Sequence, residues 1–163
     1  MLVASDTSPI SNLAIIGRLS LLRKQFGEVW IAEAVEAELN NHPDSRALGS
    51  IEQAFREGWI KRRPISSKAM VRLLESTLDS GEAETIALAI ELRADFILLD
   101  ERDGRRAAEL AGLKVIGVLG LLLRAKSQGD IPLLKPELDA LRTQARFFLT
   151  RRLETQVLER AGE

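Results

Sequence analysis

The chain has 163 residues, a formal net charge of −1 at pH 7, and 45% hydrophobic against 29% charged residues, a composition typical of one soluble globular domain. It contains no cysteine and one histidine, which excludes a disulfide framework, a thiolate zinc site, a cysteine nucleophile and a histidine-rich metal centre. The near-neutral charge provides no general basic field, so any contact with nucleic acid must use local patches.

The sequence offers no sign of a membrane or export segment. Its first residues carry no basic stretch before the apolar ones, unlike a secretory signal. The longest apolar stretch, Val115 to Leu123, is far shorter than the ~18 to 20 residues that span a bilayer. Together with the absence of cysteine, these features predict a cytoplasmic protein without membrane association.

Short apolar strands alternate with amphipathic helices along the chain. Residues 2–4 predict a first strand that ends at Asp6, and Thr7 or Ser8 is expected to cap the helix that follows. Further strands are predicted at 29–31, 59–61, 96–99 and 113–116, and further helices at 19–26, 33–40, 45–57, 68–78, from 79–81 onward, 105–111, 119–127 and from 136 to the C-terminus.

This alternation favours a mainly parallel central sheet covered by helices on both faces, in a three-layer α/β/α fold. No repeat or linker divides the chain, so we expect a single domain over residues 1–163. Residues 130–163 are expected to form a C-terminal helical extension of it.

Acidic residues follow two of the predicted strands. Asp6 ends the first strand and Asp100 ends the strand at 96–99. Sites in open parallel sheets form beyond the carboxyl ends of the strands, so the pair indicates a site, although either acid alone would more often be a helix cap or a loop charge. Glu38 and Glu82 are helical acids that, taken singly, would be exposed charges. Glu84, two positions after Glu82, points to another helix sector.

Two polar residues near Asp6 have open interpretations. Thr7 either caps the first helix or positions a metal-bound water or a phosphate, and Asn12 on the polar side of that helix is equally ambiguous. A few convergent carboxylates are the ligands that Mg²⁺ and Mn²⁺ select, and a bound cation relieves the repulsion among them.

Other catalytic motifs are poorly supported. The stretch from Gly117 to Gly120 lacks the lysine and Ser/Thr of a phosphate-binding loop, and we interpret it as a tight turn into a helix. His42 lies in a polar loop and is interpreted as a solvated residue rather than a member of a catalytic triad. Of the basic clusters, Arg105 and Arg106 are the best candidates for binding a substrate or partner, because they follow Asp100; the clusters at 61–63 and 151–152 are by default solvated surface.

Several segments, in their order and spacing, resemble the PIN-domain superfamily, close to a prokaryotic branch related to VapC toxins. The similarity covers nearly the whole chain and is carried by the stretches SDTSPISNL (5–13), AVEAEL (34–39), GEAETIALA (81–89), LLDERDGR (98–105), VIGVLGLL (115–122) and AKSQGDI (125–131).

The resemblance implies a PIN-like fold with an acidic pocket in which Mg²⁺ or Mn²⁺ supports hydrolysis of RNA phosphodiester bonds. It implies catalytic roles for Asp6, Glu38, Glu82 and Asp100, with Asp6, Glu82 and Asp100 as metal ligands. For the last acid, Asp100 ranks first, Glu101 second as a water-mediated ligand, and Asp103 behind both. Thr7, Asn12 and Glu101 are given auxiliary roles.

The resemblance to toxins further implies an antitoxin partner and a homodimer. Two alternatives from other classes remain. The first is a PIN-like RNA- or protein-binding module without nuclease activity, and the second is a nucleotide-binding signalling domain, which would need a phosphate loop that the sequence lacks.

Overall fold

The computed structural model describes every residue from Met1 to Glu163. Its centre is a five-stranded sheet in the order β3-β2-β1-β4-β5, in which all neighbouring strands run parallel. The strands are β1 Val3–Ser5, β2 Val29–Ile31, β3 Ile60–Arg62, β4 Phe96–Leu98 and β5 Val115–Ile116.

Ten helices connect and flank these strands. They are α1 Thr7–Ile15, α2 Ser20–Phe26, α3 Glu33–Asn40, α4 Ser45–Arg56, α5 Lys68–Leu74, α6 Ser80–Leu92, α7 Arg102–Leu110, α8 Val118–Ser127, α9 Lys135–Thr143 and α10 Arg151–Arg160. None of them combines the length and the apolar character that crossing a bilayer demands.

The sheet separates two apolar cores, because successive residues of a strand point to opposite faces. Val3 and Leu98 belong to a cluster of 28 buried residues that also takes in residues of α1–α4 and α8–α10. Ala4 and Ile97 belong to a cluster of 14 on the other face, covered by α5, α6 and α7. The expected three-layer α/β/α fold with a parallel sheet is therefore confirmed.

The segment 130–163 packs against the larger core. Leu138 and Leu141 of α9 and Val157 of α10 all belong to that core. The helix predicted from residue 136 onward is interrupted between α9 and α10, where Arg146 adopts a left-handed conformation with φ 52°. The remaining differences from the predicted boundaries are of a few residues; for example, α7 begins at Arg102 and α5 already ends at Leu74.

Candidate active site

The strand register brings Asp6 and Asp100 to the same edge of the sheet. Ser5 pairs with Leu98 in the parallel ladder between β1 and β4, and the backbone N–H of Asp6 donates to the carbonyl of Leu98 at 3.0 Å. Both carboxylates therefore follow the carboxyl ends of neighbouring strands, where open parallel sheets form their sites.

Asp6 also occupies the N-cap position of α1, with extended φ −76° and ψ 172°. The prediction that Thr7 or Ser8 caps this helix is therefore wrong: the chain turns helical one residue earlier, directly at the end of β1. The hydroxyl of Thr7 is buried and has no hydrogen-bond partner within the protein.

Carboxylates from three elements converge around Gly81. A Cβ at this position would lie 3.0 Å from Oδ1 of Asp6, 3.0 Å from Oε1 of Glu38 and 3.5 Å from Oδ1 of Asp79. The absence of a side chain at Gly81 thus leaves the space that these oxygens border.

Glu82 is tied to the same group by a capping box at the start of α6. Oδ1 of Asp79 accepts from the backbone N–H of Glu82 at 2.8 Å, and the backbone N–H of Asp79 donates to Oε2 of Glu82 at 3.3 Å. We call Asp6, Glu38, Asp79 and Glu82 the acidic cluster. Sequence reasoning missed Asp79, although the Asp-x-x-Glu spacing that forms the box marks it.

Burial and mutual repulsion shift the acidity of this cluster. Burial raises the pKa of Asp6 to about 7, while a hydrogen bond from the backbone of Thr7 opposes the rise. The carboxylates of Asp79, Glu38 and Glu82 raise that pKa further. The pKa of Glu82 is likewise raised, first by burial and then by the charge of Asp79. The cluster is therefore costly to charge fully without a cation.

Asp100 lies in a separate hydrogen-bonding environment. Its Oδ2 accepts from the hydroxyl of Ser8 at 3.1 Å and from the amide of Asn12 at 3.3 Å, and its Oδ1 accepts from the backbone N–H of Val118 at 2.7 Å. Burial raises the pKa of Asp100, and these three bonds partly offset the rise. Gly117 is the N-cap of α8, so the predicted turn into a helix serves to hold Asp100.

The structure thus brings Asp6, Glu38 and Glu82 together, and places Asp100 at the same sheet edge but with its oxygens directed to α1 and α8. Glu101 is exposed at the N-cap of α7, and its charge acts on Glu82 rather than on Asp6. Asp103, in the first turn of α7, also acts on Glu82.

The two candidate arginines differ in placement. Nη1 of Arg105 turns inward and donates to the carbonyl of Leu99 at 2.9 Å, next to Asp100. Arg106 is exposed to solvent. Of these two arginines, only Arg106 therefore has its charge exposed at the surface.

His42 and Glu84 are engaged outside the acidic cluster. The prediction that His42 is solvated differs from the structure, because its ring is half-buried, with Nε2 2.5 Å from the hydroxyl of Ser11 and Nδ1 accepting from the backbone of Asp44 at 3.1 Å. Glu84 accepts from the backbone N–H of Ala34 at 2.9 Å and so caps α3, in agreement with its predicted divergence from Glu82.

Comparison with known proteins agrees with this architecture. The DUF3368 family model, described as PIN domain, matches residues 2–163. Among solved structures, the chain is similar to a PilT N-terminus domain protein from the hyperthermophilic archaeon Sulfolobus solfataricus P2, with a TM-score of 0.56 and 22% identity over 77% of this chain and 93% of that one. That likeness shows the fold. No curated protein matches. Because the family model spans almost the whole sequence, the chain belongs to the PIN-domain family, whose members are generally nucleases that use divalent metals.

Proposed function

We propose that this protein is a Mg²⁺- or Mn²⁺-dependent endoribonuclease that hydrolyses RNA phosphodiester bonds. The observation that carries the proposal is the acidic cluster, whose four carboxylates lie together at the carboxyl edge of the sheet. Burial, with the charges of the other three acids, raises the pKa of Asp6 to about 7. Such crowding of like charges is unfavourable for stability, and perturbed acids of this kind concentrate at functional sites.

The chemistry of the site fits a hard divalent cation. Its donors are carboxylate oxygens, which Mg²⁺ and Mn²⁺ prefer, and the buried, unpartnered hydroxyl of Thr7 adds a neutral oxygen nearby in the chain. No three His, Cys, Asp or Glu side chains are already arranged to hold a metal ion. Mg²⁺ usually keeps several waters and needs only one or two protein carboxylates. Asp6, Glu82 and Asp100 would hold it, with Glu38 and Asp79 adjoining.

When bound, the metal supplies an activated water and stabilises the charge on the phosphate during in-line displacement. The chain contributes the position of these groups. Ser8, Asn12 and the start of α8 fix the orientation of Asp100, and such supporting contacts to a ligand are commonly worth 10- to 100-fold in activity or metal affinity, as an order of magnitude. Arg105 supplies a guanidinium beside Asp100, a group suited to phosphate oxygens.

The test is RNA cleavage by purified protein with Mg²⁺, with Mn²⁺ or with chelator. We expect cleavage of a mixed RNA pool with either metal, none with chelator, and recovery when metal is restored. The Asp6→Asn, Asp100→Asn double variant serves as control, after its fold has been verified by circular dichroism. Equal cleavage by the wild type and the folded double variant would assign the activity to a contaminant and remove the proposal.

The space beside Gly81 offers a second prediction. Gly81 is helical with ordinary φ, so Gly81→Ala should fold, but its Cβ would press on Asp6 and Glu38 at 3.0 Å. The two carboxylates must then move by a few tenths of an ångström. Because a displacement of about 1 Å can cost on the order of a hundredfold, we expect a smaller loss, of about tenfold, in kcat/KM.

Gly49→Ala is the matched control, because Gly49 lies in α4 and a Cβ there meets nothing within 4 Å. Wild-type turnover by both folded alanine variants would show that the space beside Gly81 is not used.

We also propose that the protein is the toxin of a toxin–antitoxin pair, acts in the cytoplasm and forms a homodimer. The resemblance to VapC-related proteins supports these roles, and exposed Leu73 (74%) and Leu110 (82%) provide apolar helical surface for self-association. An antitoxin with acidic residues would find Arg106 exposed. Sedimentation that shows only monomer over a wide concentration range would remove the dimer.

A further inference from the structure

A cleft of about 950 Å³ reaches the candidate active site from the C-terminal part of the chain. It includes Asp100 and Arg105 and extends along β5 and α8 to α10. β5 is an edge strand, so this cleft lies at an open side of the sheet, next to the atoms that hold Asp100.

The charges that line the cleft are strongly one-sided. Four basic residues face a single acid, Asp100, in a chain whose overall net charge is −1. None of the four forms an ion pair within the protein. The four basic residues are Arg105, Arg124, Lys126 and Arg160.

Three of these cations are held in place by uncharged partners. Arg105 donates to the carbonyl of Leu99, Lys126 donates to the carbonyl of Pro132, and the guanidinium of Arg124 lies 5.3 Å from the ring centre of Phe26. The positive charge of Arg105 acts on Asp100, whereas Arg124 and Lys126 have no acidic partner. The cleft is therefore complementary to a polyanion.

An aromatic ring adds a second feature. Phe148 is 85% exposed, whereas its neighbours Phe147 and Leu149 pack on the larger core. The backbone is thus anchored on both sides of Phe148, and its exposed ring lines the cleft as an apolar surface. Arg151 and Arg152, the basic pair noted in the sequence, follow at the exposed start of α10.

We infer that this cleft binds the single-stranded RNA that flanks the cleaved bond, with a base stacked on Phe148 and phosphates against Arg160, Arg124 and Lys126. The inference rests on the proposed function. A basic groove combined with an exposed ring is the arrangement that binds single strands, because only unpaired bases offer a free face for stacking. An extended peptide pairing with β5 is less favoured, since that strand is two residues long and offers a short ladder.

The test measures RNA binding in chelator, so that cleavage plays no part. Fluorescence anisotropy would follow a labelled 12-nucleotide oligo-uridine and, separately, an RNA duplex of the same length. We expect the single strand to bind more tightly than the duplex and Phe148→Ala to weaken single-strand binding about tenfold. Arg160→Ala should lower the slope of log affinity against log salt by about 0.7, the value for one phosphate contact.

Phe148 and Arg160 are both exposed, so their replacement leaves the core intact. Arg72→Ala and Leu133→Ala, at exposed positions outside the cleft, are the matched controls and should bind RNA like the wild type. A Phe148→Leu variant separates stacking on the aromatic ring from contact with apolar surface. If stacking provides the binding, this variant should bind RNA nearly as weakly as Phe148→Ala.

Unchanged RNA affinity in the Phe148→Ala, Arg160→Ala double variant, or equal affinity for duplex and single strand, would overturn the inference. So would an acidic Glu-Leu repeat peptide that binds through Phe148 and Arg160 while RNA does not, because the cleft would then serve a protein segment. If cleavage depends on metal but RNA affinity does not depend on the cleft residues, the RNA-binding role of the cleft is refuted and the nuclease proposal stands. If RNA binding depends on the cleft residues but no cleavage is observed, the nuclease proposal is refuted and the RNA-binding role of the cleft stands.

Discussion

The Asp6→Asn protein is expected to cleave RNA about a hundred to ten thousand times more slowly than the wild type at saturating Mg²⁺. The substitution keeps the shape of the side chain but removes its negative charge, and the loss of metal-borne charge stabilisation in the transition state amounts to several kcal/mol, at about 1.4 kcal/mol for each tenfold change in rate. The measurement is kcat/KM under single-turnover and steady-state conditions, so that binding and chemistry are separated.

Asp100→Asn should lose activity on a similar scale, through a different balance of effects. Asp100 accepts three hydrogen bonds, from Ser8, Asn12 and Val118, and an asparagine amide can accept on one side only. We therefore expect a measurable loss of stability along with activity. Glu109→Gln is the control, because Glu109 is an exposed acid near the end of α7. A comparable loss in Glu109→Gln, or none in Asp6→Asn, would contradict the assignment.

Asp6→Asn is also expected to stabilise the metal-free protein at neutral and alkaline pH. The pKa of Asp6 is about 7 in the folded protein against 3.8 as the ordinary value. The folded state therefore keeps a proton that the unfolded state releases. The free energy of unfolding of the wild type falls as pH rises from about 4 to about 7 and loses no more from this group above that range.

A shift of about 3 pH units corresponds to about 4 kcal/mol at 1.36 kcal/mol per unit, and Asp6→Asn should recover a large part of it at pH 8 and little at pH 4. Urea unfolding of both proteins in chelator, at pH 5 and pH 8, measures the difference. Added Mg²⁺ should narrow it, because the cation stabilises the charged cluster. If the free energies of unfolding of the two proteins changed in parallel with pH, the raised pKa of Asp6 would be contradicted.

Much of the fold could be predicted because the signals are periodic. Buried strands such as Val29–Ile31 are continuous apolar runs, and the helices between them repeat their apolar positions every three or four residues. The order of the strands does not follow from such local patterns, since it depends on which edges meet in the folded chain. The sequence also does not predict the break between α9 and α10, because Arg146 adopts a left-handed conformation at a position that no glycine marks.

For the site, residues that follow strands were predictable and side-chain partnerships were not. Asp6 and Asp100 mark strand ends, and parallel ladders bring such ends together. The sequence predicts for Asp79 only the start of a helix, because its role in capping α6 gives no sign that it also lies close to Asp6. Arg105 is predicted to contact a substrate or partner, and its hydrogen bond to the carbonyl of Leu99 depends on a rotamer that packing decides and the sequence does not show.

The strand order has a consequence for the time at which the protein acquires its site during synthesis. β1 is the first strand made and the central strand of the sheet, yet its neighbour β4 begins at Phe96. A nascent chain that has released only its first half therefore holds Asp6 without Glu82, Asp100 or the ladder that orders them. Because domains fold as units once enough of their chain has emerged, the site assembles only when most of the polypeptide has left the ribosome. The RNA of the ribosome is therefore exposed to a completed site only late in synthesis, after β4, β5 and the start of α8 have emerged.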